Sequence, residues 1–117
     1  MYLFYLIEKY IEHPYSTLLL QGEVDASNSV SLDEAITELV SSGAQNILID
    51  GSQLEYISSA GLGVFISHLD DLKAYGGKFV FYGMNVTVYN VFEILGLHTI
   101  MEIVRDRFEA QTLMNEG

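Results

Sequence analysis

Short apolar runs of period two alternate along this chain with longer segments of helical period, and the changes of period fall beside glycine, asparagine or serine. That alternation confines the fold to strands and helices taken in turn. A period-two stretch buries one face of a sheet, whereas a 3.6-residue period buries one stripe of a helix. From Phe4 to Glu12, Tyr5, Ile7 and Ile11 oppose Glu8, Tyr10 and Glu12, which predicts a strand ended by His13-Pro14. Ser16 to Gln21, with Leu18, Leu19 and Leu20 in succession, predicts a more central strand, the hairpin partner of the first. Gly22-Glu23-Val24-Asp25 is then expected to leave the sheet.

Ser31-Leu32-Asp33-Glu34 has the pattern of a capping box, with Val30 and Ala35 placed as a hydrophobic staple. Leu32, Ile36, Leu39 and Val40 follow at helical spacing, and Gly43 stands where a left-handed cap would close the helix. Asn46 to Asp50 predicts a short buried strand, and Gly51 to Ile57 a loop. Between about Ser59 and Tyr75, Leu62, Phe65, Ile66, Leu69 and Leu72 share one face of a second helix against Ser67, His68, Asp70, Asp71 and Lys73. Gly76-Gly77 stops it. Lys78 to Tyr82 predicts a strand, and Asn85 caps a third helix that turns Val88, Val91, Phe92 and Leu95 inward before Gly96. His98 to Val104 predicts a weak last strand, and Arg105 to about Met114 a last helix.

This order predicts an α/β fold: a mixed β-sheet with an antiparallel pair at its start and helices packed against it. One domain spanning residues 1–117 is expected, with 1–3 and 115–117 frayed. Five Lys and Arg against 16 Asp and Glu give a net charge of −11, which argues against contact with nucleic acid or anionic lipid and favours a basic protein partner. With no cysteine, thiolate metal sites and cysteine nucleophiles are excluded. The apolar opening Met1 to Ile7 is far short of the ~20 residues of a membrane span, and no basic residue precedes it. A cytoplasmic location is therefore expected, and a homodimer is compatible with the sequence without being predicted by it.

Ligands and partners of such sheets tend to meet the loops beyond the strand C-termini, here Asp25, the Gly51 to Ser59 turn and Gly83 to Asn85. Ser58-Ser59-Ala60-Gly61-Leu62-Gly63 crowds small residues at a helix start. Ser58 is the natural N-cap and Ser59 the outward hydroxyl. A phosphate there would add roughly −1.5 to −2 charges beside the positive end of the helix dipole. The plainer reading makes both serines capping and turn residues only. Leu62, Val64, Met84 and Val88 form a candidate docking patch beside Ser59.

These residues bear a family likeness. Gly22-Glu23-Val24-Asp25, Asp50, Ser58-Ser59-Ala60-Gly61-Leu62-Gly63, Gly76-Gly77 and Phe92-Glu93-Ile94-Leu95-Gly96-Leu97, in that order, resemble the signature of STAS-domain anti-sigma factor antagonists. The resemblance implies a single STAS domain that is not an enzyme and acts as a phosphorylation-controlled partner switch. It makes Ser59 the phosphoacceptor of a serine kinase that is itself the anti-sigma factor, with a PP2C-type phosphatase reversing the mark. Asp25, Ser58, Ala60 and Gly61 join Ser59 and the docking patch in the implied partner surface, with Asp25 and Asp50 as secondary electrostatic residues. Two departures stand out. Ser58 replaces the aspartate that often precedes the phosphoacceptor, and neither Tyr89 nor Asn90 supplies the basic residue many relatives carry there.

Other chemistries find fewer residues. Asp25 and Asp50 read as solvated strand-end carboxylates rather than a divalent-metal pair, and His13, His68 and His98 are too scattered for a zinc triad. Neither metal nor cofactor is expected. Gly61-Leu62-Gly63-Val64 lacks the third glycine of a dinucleotide loop, and no Gly-x-Ser-x-Gly elbow or Walker lysine is present. Two alternatives remain: a STAS module serving a lipid-transport or stress-signalling assembly, or a receiver-like domain phosphorylated on Asp50.

Overall fold

The computed structural model describes residues 4–10 and 15–116. The turn expected at His13-Pro14 lies outside the described residues. Strands β1 (Phe4–Tyr10), β2 (Tyr15–Val24), β3 (Asn46–Ile57), β4 (Lys78–Tyr82) and β5 (Glu102–Val104) form one sheet in the order β1-β2-β3-β4-β5. Only β1–β2 is antiparallel. Helices α1 (Ser29–Ser41), α2 (Ser59–Ala74), α3 (Val86–Ile94) and α4 (Arg107–Glu116) link or follow the parallel strands, and a 3-10 turn at Leu97–Thr99 stands where the sequence predicts the start of the last strand.

Strand alternation divides the core in two. Leu18, Leu20, Ile47, Ile49, Phe79 and Phe81 point from the sheet toward buried residues of α1, α2 and α3. Phe65 of α2 lies edge-on to Phe79 and Phe81, with ring centroids 5.4 and 4.9 Å away. On the opposite face, Leu48, Val80 and Tyr82 meet Ala110 and Met114 of α4.

Helix ends follow their glycines. After α1, Gly43 takes φ +98°, while its N–H bonds to Val40 O and that of Ala44 to Leu39 O. After α2, Gly76 takes φ +78°, with Gly76 N–H on Lys73 O and Gly77 N–H on Leu72 O. Both are paired Schellman bonds that satisfy the last carbonyls of the helix.

Several local expectations are corrected. Helix α1 starts two residues before Ser31, because Asn28 closes its approach: the Asn28 side chain accepts from Asp25 N–H at 2.9 Å and donates to Glu23 O at 2.8 Å. Ser31 therefore lies in the first turn, and Val30 stands 67% exposed with no staple to make. Ile66 and Leu95, expected inside, are exposed at the edges of their apolar stripes. The largest correction concerns residues 51–57, which extend β3 instead of forming a loop. Two register shifts against β2 each place an extra residue on β3. A bulge displaces the alternation by one, so the buried residues become Gly51, Leu54 and Ile57 at a spacing of three. β2 likewise remains in the sheet to Val24.

Candidate functional site

The ends of β2 and β3 and the start of α2 form one fastened unit. Ser58 N–H donates to Val24 O at 2.8 Å, while Ser58 Oγ accepts from Gly61 N–H at 3.4 Å and serves as the N-cap. Ser59 follows as the first helical residue and is exposed. The first turn of α2 contains no acidic residue. Its leading N–H groups precede any intrahelical acceptor, so this end of the helix presents positive partial charge to whatever Ser59 carries.

Gly61 is required by packing rather than by backbone angle. A Cβ there would lie 2.7 Å from Val24 Cγ1 and 2.9 Å from Ile57 Cγ1, both on fully buried side chains. Absence of that carbon lets α2 rest on the two strand ends. Gly61→Ala should cost about 1–3 kcal/mol in urea unfolding, since α2 must lift to admit the methyl group. A loss below 0.5 kcal/mol would show that this contact is loosely packed.

Asp25 lies just past β2, beside this unit. Its carboxylate accepts from Ser27 Oγ at 2.5 Å and Ser27 N–H at 2.9 Å. The Ser27 hydroxyl, and then its N–H, hold the acid below the usual carboxylate range, so Asp25 keeps its negative charge well into acidic solution.

Asp50 is placed elsewhere. It is not the end of its strand, because β3 continues to Ile57, and its side chain falls on the α4 side of the sheet beside Tyr82. Asp50 Oδ1 accepts from Ser52 N–H at 2.9 Å and Ser52 Oγ at 2.7 Å, which braces the first bulge. Tyr82 Oη accepts from Arg107 at 2.9 Å, and Arg107 also reaches Thr17 Oγ1 at 3.4 Å. Burial, then the neighbouring Asp50 charge, push the Tyr82 hydroxyl up to about 12. Asp50 thus anchors structure under α4. A strand-end phosphate acceptor, as the receiver-like alternative requires, is not what this position offers. Among the described residues no group of three His, Asp or Glu is arranged to hold a metal ion.

The expected docking patch is also revised. Gly61, Leu62 and Val88 are buried and act from below the surface, leaving Ser59, Ala60 and Val64 as the accessible part near the helix start. Met84 lies against Gly51, where a Cβ would meet its Cγ at 2.7 Å. Sequence reasoning missed Tyr56, which is 47% exposed two residues before Ser58. Its signal was an aromatic residue left outside by the bulged spacing of Leu54 and Ile57. Asn85 caps α3 by accepting from Val88 N–H at 2.8 Å and ties it to β3 through Leu54 O at 3.3 Å. His68 joins α2 to α1 through Asp33 at 2.8 Å. No helix among the described residues is long and apolar enough to cross a membrane.

The model of the STAS domain family matches residues 7–110. The anti-sigma-B factor antagonist of Listeria monocytogenes is 30% identical over 86 residues, covering 74% of this chain and 75% of that protein. An anti-sigma factor antagonist from Mycobacterium paratuberculosis has a solved structure similar to this one at TM-score 0.87 and 21% identity, covering 97% of this chain and 94% of that one. The Bacillus cell fate determinant SpoIIAA, solved in its phosphorylated form, aligns at TM-score 0.71 and 20% identity, covering 94% of this chain and 99% of that one.

Proposed function

Because the chain belongs to the STAS domain family, we propose that it is an anti-sigma factor antagonist whose hold on its partner is released by phosphorylation of Ser59. The relatives are named for a regulatory binding role rather than for catalysis, and the same role is assigned to this chain. The observation that carries the switch is the exposed Ser59 hydroxyl on the first turn of a helix already capped by Ser58. Modification of Ser59 leaves that cap intact, so the domain keeps its fold while its surface changes charge. The partner is an anti-sigma factor with serine kinase activity, a PP2C-type phosphatase removes the phosphate, and the exchange takes place in the cytoplasm.

Charge at the contact is the mechanism. A phosphate adds roughly −1.5 to −2 charges to a surface where Asp25 is already held ionised. Like charges brought together at an interface cost several kcal/mol, enough to separate partners without any rearrangement of the sheet. Ser58 in place of an aspartate lowers the resting charge of the site. The unmodified protein therefore starts from a less repulsive surface, and the phosphate makes the larger relative difference.

The test is intact mass after incubation with ATP, Mg²⁺ and lysate of the source organism, alongside Ser59→Ala. One added phosphate on the native chain and none on the variant is the expected result. Ser59→Asp should weaken binding to the kinase roughly 100-fold, about 2.7 kcal/mol, with an unchanged circular dichroism spectrum. Undiminished binding by the Asp form would overturn the switch. Absence of phosphate on either chain, with the kinase shown to be present by pull-down, would favour an unmodified scaffold role in another assembly.

A further inference from the structure

Helix α2 contains a glycine that nothing in this chain requires. Of the nine described glycines, five take a left-handed φ, and Gly51, Gly61 and Gly77 each stand where a Cβ would collide with a neighbour. Gly63 alone has neither reason: its φ is not left-handed, and a Cβ there would meet nothing within 4 Å. It is exposed and lies inside the helix. Only proline is less favourable than glycine in a helix interior, so Gly63 weakens α2 with no compensating contact inside the domain.

Its place on the helix says what would use the gap. Gly63 stands one turn beyond Ser59, roughly 40° around the helix and 6 Å along it, and Ile66 two turns beyond, roughly 20° around and 10 Å along. Ile66 is 44% exposed. His68, which fastens α2 to Asp33 of α1, projects from the opposite side, about 180° from Ser59. The stripe of Ser59, Gly63 and Ile66 therefore faces away from α1. A kinase that modifies Ser59 must cover this stripe. The Ser59 Oγ attacks the γ-phosphorus of ATP, ADP leaves, and the hydroxyl proton passes to a base of the kinase, with the reacting atoms roughly 3–3.5 Å apart. A cleft that close to Ser59 brings its walls over the next turn of α2 as well, and there the missing Cβ lets a second main chain come nearer than any other residue would.

We propose that Gly63 is a specificity-determining residue of the Ser59 surface: it admits the main chain of the kinase against α2 one turn past the phosphoacceptor, and Ile66 supplies the apolar contact of the following turn. This role rests on Ser59 being the phosphoacceptor, and it runs the contact along α2 rather than across to Met84. A side chain at Gly63 leaves the domain at least as stable and holds the partner off.

The test measures the initial rate of phosphate incorporation by intact mass, in lysate of the source organism with ATP and Mg²⁺. It compares the native chain with Gly63→Ala, Gly63→Gln, Ile66→Ser and, as a control on the exposed side of α4, Thr112→Gln. Alanine and glutamine have similar helix propensities and differ in size. Gly63→Ala is expected to raise the melting temperature by roughly 4 °C. It should nonetheless slow phosphorylation about fivefold, Gly63→Gln about 20-fold and Ile66→Ser about threefold, while Thr112→Gln leaves the rate unchanged. A lower melting temperature for Gly63→Ala would reveal a reason for the glycine within the domain and overturn the proposal. Equal slowing by alanine and glutamine would trace the effect to helix stiffness instead of clearance. A native chain that is phosphorylated no faster than either Gly63 variant would remove Gly63 from the contact while leaving Ser59 as the acceptor. A native chain that takes no phosphate, in a lysate shown by pull-down to hold the kinase, would refute the Ser59 reading and this role together.

Discussion

Phe65→Ala should lower the unfolding free energy by about 4 kcal/mol and the melting temperature by roughly 15 °C. Phe65 is fully buried and its ring closes an aromatic group with Phe79 and Phe81, which in turn contacts Phe92 of α3 at 5.3 Å between centroids. Truncation removes the transfer energy of the ring and leaves a hole between α2 and β4 that the flanking helices cannot fill without moving. Phe65→Leu retains most of the volume and should cost less than half as much. Urea unfolding followed by circular dichroism measures both. Equal losses for the two variants would mean that the site collapses freely and that the edge-on ring contacts contribute little.

The second large effect comes from two adjacent glycines that are glycine for different reasons. Gly76 needs its left-handed φ of +78°, yet a Cβ there would meet nothing within 4 Å. Gly77 has no such φ, but a Cβ would fall 1.9 Å from the Gln45 carbonyl oxygen, inside the backbone of the neighbouring turn. That carbonyl accepts from Lys78 N–H at 3.0 Å, and the next residues pair as Asn46 with Lys78 at the start of the β3–β4 ladder. Gly76→Ala should therefore cost only the left-handed penalty, about 1 kcal/mol. Gly77→Ala must push two backbones apart and should cost about 3 kcal/mol or more. Thermal unfolding of the pair separates the two causes, and a larger loss at Gly76 would contradict the close approach.

Element type and order were largely legible in the residues. The helical stripe of Leu62, Phe65 and Leu72, the glycines after α1 and α2, and the Asn85 cap each rest on local chemistry, and local chemistry is what a sequence displays. Residues 51–57 were misread because a bulged strand buries every third residue, and Gly51-Ser52-Gln53 then resembles a loop. That misreading moved Asp50 to a strand end, whereas pairing with β2 carries the strand seven residues further, to Ile57. Ser31 to Glu34 mimic a capping box and Val30 with Ala35 a staple, but Asn28 reaches back to Glu23 and Asp25 through contacts that no short motif announces. The cap role of Ser58 and the exposure of Ser59 were legible from capping rules. Helical spacing already turned Leu62 and Val88 inward, against their place in the expected docking patch, whereas the packing of Met84 at Gly51 is a tertiary contact that one-dimensional spacing does not resolve.

Strand order that follows chain order has a bearing on how the protein is made. Each parallel strand finds its partner in the one just synthesised, so the sheet can grow by addition at one edge as the polypeptide emerges from the ribosome. Helices α1, α2 and α3 arrive between successive strands and shield the first face as it forms. On the second face, among the described residues, α4 alone covers Leu48, Val80 and Tyr82. Until residues 107–116 have been translated, that part of the sheet therefore exposes an apolar surface to chaperones and to other nascent chains, and the ten-residue α4 is what removes it.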